Sequence, residues 1–123
     1  MKRQKILIVE DEDYVRDFLG LLLRDNYEIL NAANGVEAIN QINTNSDIDL
    51  MLLDLHMPGI NGLDLLRTLR KEVEYQIPVI IVTAYSSQEI RDEASELGVK
   101  DFISKPFSVE SLEKSIKKIL GST

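Results

Sequence analysis

Two hydrophobic periods alternate along this chain. Short apolar runs, Lys5-Ile6-Leu7-Ile8-Val9, Leu50-Met51-Leu52-Leu53 and Val79-Ile80-Ile81-Val82, have the length and β-branched content of strands covered on both faces of a sheet. Weaker runs at Tyr27 to Asn31 and Asp101 to Ser104 bring the predicted strands to five. Between them, Tyr14 to Arg24, Val36 to Asn43, Leu63 to Glu72, Glu89 to Leu97 and Val109 to Leu120 carry apolar residues at helical spacing. Asn34 with Glu37, and Ser86 with Glu89, read as helix starts in which a cap side chain and a returning carboxylate satisfy the first free amides. Gly98 reads as a helix end, and Pro58, Gly59 and Asn61-Gly62 as the tight connection between strand three and helix three. Strict βα alternation predicts an α/β fold, a doubly wound parallel sheet with right-handed crossovers and helices on both faces. No repeat or low-complexity tract interrupts it, so one domain over residues 1–123 is expected, with Gly121-Ser122-Thr123 a polar terminus or the first residues of a linker.

Composition narrows the chemistry. The 123 residues are 44% apolar and 28% charged, enough to bury one core and too ordered a mixture for a disordered chain. With no cysteine, disulfides, thiolate metal sites and cysteine nucleophiles are excluded. The 21 acidic residues outnumber the 14 Lys and Arg for a net charge of −7, which repels phosphate backbones and anionic lipid. Neither nucleic acid nor a membrane is therefore expected as a direct partner. The apolar run behind the basic N-terminus, Ile6 to Val9, is too short for a signal peptide or a membrane span, so a cytoplasmic protein is expected.

In open parallel sheets ligands bind beyond the carboxyl ends of the strands. Glu10, Asp11, Glu12 and Asp13 follow strand one, Asp54 follows strand three, Thr83 ends strand four, and Lys105-Pro106 follows strand five. Taken singly, each has an ordinary explanation: acids suit a helix N-terminus, and this is the reading for Glu12 and Asp13. Their joint occurrence at four strand ends is the signal. If strands one and three are neighbours, Glu10, Asp11 and Asp54 converge, and carboxylates that close require a compensating charge. A hard divalent cation such as Mg2+, with oxygen ligands, fits that need, and Lys105 supplies one further positive charge.

These blocks, Ile6-Leu7-Ile8-Val9-Glu10-Asp11, Leu53-Asp54-Leu55-His56-Met57-Pro58-Gly59, Val82-Thr83-Ala84-Tyr85 and Lys105-Pro106-Phe107, resemble the receiver domain of bacterial two-component response regulators across essentially the whole chain. The resemblance implies a flavodoxin-like topology with strand order 2-1-3-4-5 and five helices. It implies that Asp54 is the phosphoacceptor for a phosphoryl group from a histidine kinase or histidine phosphotransfer protein. By the same resemblance Asp11 binds Mg2+ directly, Glu10 does so through water, the backbone carbonyl of His56 completes the protein ligands with Asp54, and Thr83 and Lys105 contact the phosphoryl oxygens. Glu10 stands where many relatives have Asp. Phe102 matches the aromatic position whose rotamer accompanies activation, coupled to Thr83, and a downstream protein target is expected on the face formed by helix four, strand five and helix five. A cis Lys105–Pro106 bond is also implied. His56 and Tyr85, each two residues beyond a site residue, are expected to line the path of attacking water and tune the acyl phosphate lifetime.

Two rival functions share parts of this pattern. A haloacid-dehalogenase-type phosphohydrolase would use Asp11 as nucleophile, since Asp11-Glu12-Asp13 has a DxD spacing. A flavin-binding electron carrier would need Ser, Thr and Gly after strand one, where this chain has carboxylates that repel phosphate. Helix one adds a last signal. Its apolar residues spread over roughly 200°, wider than the approximately 100° stripe that packs a helix on a sheet. Val15, Leu19, Leu22 and Leu23 are read as sheet-facing, which leaves Tyr14, Phe18 and Leu21 on an exposed flank. With Phe107 they are read as a docking strip for the histidine-bearing partner.

Overall fold

The computed structural model describes residues 3–71, 76–84 and 87–121. Its elements run β1 (Lys5–Val9), α1 (Asp13–Leu23), β2 (Glu28–Ala32), α2 (Gly35–Thr44), β3 (Leu50–Leu53), α3 (Gly62–Arg70), β4 (Val79–Thr83), α4 (Gln88–Glu96), β5 (Asp101–Ser104) and α5 (Val109–Leu120). All strand pairs are parallel and the order is β2-β1-β3-β4-β5, so the doubly wound α/β fold stands as expected from sequence.

The uninterrupted apolar runs are explained by two cores, one on each face. Alternate residues of the central strands, Leu7, Val9, Met51, Leu53, Val79 and Ile81, pack with Ala38 and Ile42 of α2, Leu65, Leu66 and Leu69 of α3, and Ala94 of α4. Their neighbours Ile6, Ile8, Leu50, Leu52, Ile80 and Val82 pack with Leu19 and Leu23 of α1 and Leu112 and Ile116 of α5. Period two in the backbone thus gives an apolar residue at every position, because both faces are covered.

Helix ends follow the capping chemistry with small shifts. Asn34 accepts from the Glu37 N–H at 2.9 Å, and the Glu37 carboxylate reaches back to the Ala33 N–H at 2.8 Å, one residue ahead of the cap. Asn61 caps α3 through the Asp64 N–H. At α4 the cap is Ser87, which accepts from the Ile90 N–H, so the reading that paired Ser86 with Glu89 is corrected by one residue. Ser86 itself, Tyr85, and Glu72 at the expected end of helix three lie outside the described residues, as do Ser122 and Thr123. β2 starts at Glu28, with the Tyr27 N–H still bonded to the Leu23 carbonyl of α1. Gly59 and Gly98 have φ of +79°, a left-handed conformation that favours glycine at a turn and past a helix end. Among the described residues no helix is long and apolar enough to cross a membrane.

Candidate functional site

The register of β1 and β3 builds the site. Val9 pairs with both Ala32 and Leu53. The next residues leave the sheet side by side: the Glu10 N–H donates to the Ala32 carbonyl, and the Asp54 N–H donates to the Val9 carbonyl, each at 3.0 Å. Glu10 and Asp54 are therefore anchored by their backbones with their carboxyl groups 2% and 5% exposed. Asp11 is half-buried beside them, and ligand oxygens of Glu10, Asp11 and Asp54 all lie within 4.8 Å of one another. The convergence expected from sequence is thus present.

β4 and β5 bring the polar partners. Thr83 is the last residue of β4, fully buried, and its hydroxyl donates to Asp54 Oδ1 at 2.9 Å. Its carbonyl accepts from the Lys105 N–H at 2.8 Å, which ties the loop after β5 to the end of β4. From there the Lys105 ammonium reaches Asp54 Oδ2 at 2.9 Å and Glu10 Oε1 at 2.6 Å. The Lys105–Pro106 peptide is cis, as the resemblance implied. Asp54 Oδ1 also accepts from the His56 N–H at 3.0 Å, and Glu10 Oε2 from the Glu12 N–H at 3.1 Å.

These contacts divide the two buried carboxyls. Burial works to raise Asp54, but the bonds from Lys105, the His56 N–H and Thr83 outweigh it and hold the group below the ordinary carboxylate value. Burial dominates at Glu10, which is pushed up to about 7 despite its bonds to Lys105 and the Glu12 N–H, with the nearby Asp54 charge adding to the rise. Burial lowers Lys105, yet its bonds to Glu10 and Asp54 prevail and raise it. At neutral pH the site therefore holds an ionised Asp54 facing an ammonium, with Glu10 near its own titration point.

The remaining sequence-derived residues fall at the rim. The His56 side chain is exposed. Glu12 is the residue before α1 and Asp13 lies in its first turn, as read from the helix dipole. Val15 and Leu22 pack against the core that buries Leu19 and Leu23, while Tyr14, Phe18 and Leu21 are 82%, 46% and 58% exposed, as the helical arc required. Tyr14, Phe18, Pro106, Phe107 and Lys105 line one groove of about 300 Å3, so this flank shares Lys105 with the site. Phe102 is half-buried against the core beneath α4, and the Arg91 guanidinium stacks over its ring at 4.5 Å while donating to Ser104 Oγ at 2.9 Å.

Two positions with a bearing on the site escaped the sequence reading. Gly62 looked like a turn glycine, but it is the first residue of α3, and a Cβ there would meet the Asp54 carbonyl oxygen at 2.6 Å. Arg16 is not singled out by the sequence, yet its guanidinium donates to the Glu10 carbonyl at 2.7 Å and to the Asp13 carboxylate. For Gly62 the Asn-Gly pair was a weak hint. Nothing in the sequence distinguished Arg16 from other surface arginines.

The response regulator receiver domain family model matches residues 6–117. The chain belongs to that family, and is a receiver domain of two-component response regulators. It is 36% identical to sporulation initiation phosphotransferase F of Bacillus subtilis, with 98% of this chain and 96% of that protein covered. It is 33% identical to the chemotaxis protein CheY1 of Helicobacter pylori, covering 96% of this chain and 98% of that one. It matches the transcriptional regulatory protein ResD of Bacillus subtilis at 39% identity over 94% of this chain, spanning about half of that relative's length (48%). A response regulator receiver protein from Pseudomonas putida superimposes with a TM-score of 0.91 at 30% identity, covering 96% and 98% of the two chains. The dehalogenase-type reading with Asp11 as nucleophile finds no support. The family is a different one, and the carboxylate that Thr83 and Lys105 reach is that of Asp54, while Asp11 sits at the half-exposed edge.

Proposed function

We propose that this receiver is a phosphoacceptor switch in which Asp54 takes a phosphoryl group from the phosphohistidine of a histidine kinase or phosphotransfer protein. The observation that carries the reading is the buried Asp54 carboxyl group held by an ammonium, a hydroxyl and a backbone N–H, contacts that favour its ionised form. Being deprotonated, Asp54 needs no general base: one of its oxygens bonds to phosphorus as the phosphorus–nitrogen bond to the imidazole breaks. Charge then spreads over the equatorial phosphoryl oxygens. Lys105 and Thr83, which hold the free carboxylate, are placed to follow that charge onto the phosphoryl group, so stabilising donors are already oriented before the reaction.

Mg2+ is the metal that fits the donor set. Glu10, Asp11 and Asp54 offer hard oxygen ligands within one ion's reach, with no imidazole or thiolate to favour a softer metal. In the assignment proposed here Asp11, Asp54 and the His56 carbonyl would hold the ion directly and Glu10 would do so through water. When bound, the cation offsets the negative charge that phosphorylation concentrates in the cleft.

The switch acts by partner choice rather than turnover of a substrate. The groove at Tyr14, Phe18 and Phe107 receives the histidine-bearing partner, and Thr83 and Phe102 relay the phosphorylated state to the α4–β5–α5 face that a downstream protein reads. Incubation with acetyl phosphate and Mg2+, followed by intact-mass measurement, tests the core of this reading. One phosphoryl group is expected on the parent, none on Asp54→Asn, and none after chelation of the metal. Undiminished labelling of Asp54→Asn would overturn the assignment.

A further inference from the structure

Arg16 lies one helical turn beyond the acidic loop, and its side chain is only 17% exposed although it carries a full charge. The fork of its guanidinium bonds two groups. One arm donates to the Glu10 carbonyl at 2.7 Å, and the other pairs with the largely exposed Asp13. The Glu10 carbonyl belongs to the same peptide as the Asp11 N–H. Glu10 is thus held on both sides, by the Ala32 carbonyl at its N–H and by Arg16 at its own carbonyl. Among the described residues the Asp11 carboxylate, by contrast, accepts no hydrogen bond, whereas Glu10 and Asp54 each accept several. The direction of the Asp11 side chain therefore depends on the orientation of the peptide that precedes it.

We propose that Arg16 is a positioning residue for the cation site: by fixing the Glu10–Asp11 peptide it aims the Asp11 carboxylate into the cleft. The inference rests on the Mg2+ reading above. A rigid planar fork suits this task, because it bonds the carbonyl while Asp13 holds its other arm in place.

Charge and position make opposite demands here, and this separates them experimentally. A guanidinium bonded to the Glu10 carbonyl lies near the acidic site and repels a divalent cation there, so removing its charge alone tightens Mg2+ binding. Removing its hold on the peptide loosens it, and partners that orient metal ligands typically carry about 10–100-fold in affinity. Mg2+ binding is measured calorimetrically on the full chain, without any phosphoryl donor, for the parent, Arg16→Gln, Arg16→Lys and Asp11→Ala. Arg16→Gln is expected to weaken binding roughly 10-fold, the lower end of that range, despite losing a positive charge. Arg16→Lys keeps the charge without the fork and is expected to weaken it as well, and Asp11→Ala to abolish it. Amide spectra of the metal-free Arg16 variants should show displaced Asp11 and Glu12 signals with the sheet unchanged, and if Arg16→Gln does not fold, Arg16→Lys carries the test. Unchanged or tighter binding in the folded Arg16 variants overturns the positioning role alone. A parent chain that binds no Mg2+ overturns the cation reading and this role together.

Discussion

The close approach of α3 to the Asp54 loop makes Gly62 and Gly20, both helical, opposite in their response to alanine. At Gly20, in the middle of α1, an added Cβ meets nothing within 4 Å, so Gly20→Ala gains only helix propensity and a stiffer unfolded chain. That is worth roughly 0.5–1 kcal/mol of stability. At Gly62 the same methyl group falls 2.6 Å from the Asp54 carbonyl oxygen and 2.7 Å from the Leu55 Cα. Both are backbone atoms in a packed layer, so no side chain can swing aside, and the loop has to retreat by about 0.8 Å to reach ordinary contact. Overpacking of this kind costs about 1–3 kcal/mol, which exceeds the propensity gain. Gly62→Ala is thus expected to lose about 1–2 kcal/mol net in urea unfolding, while Gly20→Ala gains stability. Because the displaced segment carries Asp54, phosphorylation by acetyl phosphate should also slow, by about tenfold to a hundredfold for a shift approaching 1 Å. Parent-like stability and rate in Gly62→Ala would refute the contact. A destabilised variant that phosphorylates at the parent rate would refute its link to Asp54 placement.

Glu10 gives the metal-free protein a pH signature. Its carboxyl rises from 4.5 to about 7 on folding, so the associated stability is complete below pH 4.5 and is lost as pH climbs through 7, a loss on the order of 2 kcal/mol. Asp54, lowered on folding, and Lys105, raised on folding, act outside that window, so Glu10→Gln should flatten urea-unfolding stability across it, and an unaltered slope would assign the effect elsewhere. Thr83→Ala should still accept a phosphoryl group but lose the phosphorylation-dependent gain in binding its downstream target, measured by titration; retention of that gain would remove Thr83 from the relay. Phe18→Ala and Tyr14→Ala should slow transfer from the cognate phosphohistidine protein and leave acetyl phosphate reactivity intact. Equal loss with both donors would place these side chains in the fold or the site instead.

Strand identity and the strand-end residues were legible because both are local properties. A run such as Val79-Ile80-Ile81-Val82 needs cover on both faces wherever it lies, and the residue after a parallel strand necessarily faces the ligand end of the sheet. The exposed flank of helix one was legible for the same reason, since 100° per residue sorts Tyr14 and Phe18 from Leu19 and Leu23 without any tertiary information. The α4 cap slipped by one, while the α2 cap at Asn34 did not, because Ser86 and Ser87 are adjacent and chemically equivalent, so the choice between them belongs to the path of the chain. Arg16 and Gly62 were illegible for a deeper reason. Each acts on a backbone atom of another element, and carbonyl oxygens are the same at every position in a sequence. Their targets exist only once β1, β3 and the two helices are packed.

The same register that assembles the site also carries a perturbation away from it. Thr83 pairs with Ser104 across β4 and β5, and Lys105 is bonded through its N–H to the Thr83 carbonyl, so the two groups that hold Asp54 flank one position of β5. On its outer side that position is grasped by Arg91 of α4, through Ser104 Oγ and the ring of Phe102. α4 is in turn tied to α3, by the Arg67–Glu93 ion pair and by the Arg70 guanidinium on the Leu97 carbonyl at 3.0 Å. Under the proposed function, a phosphoryl group that draws Thr83 and Lys105 off the carboxylate would pull on a strand segment that Arg91 joins to α4, while Phe102 and Ile103 keep it on the core. Such a group shifts the balance between two arrangements only by the contacts it makes differently in each. Under the proposed function Thr83 and Lys105 are the contacts that would differ, because their bonds to Asp54 at 2.9 Å are the ones a phosphoryl group would exchange for its own oxygens.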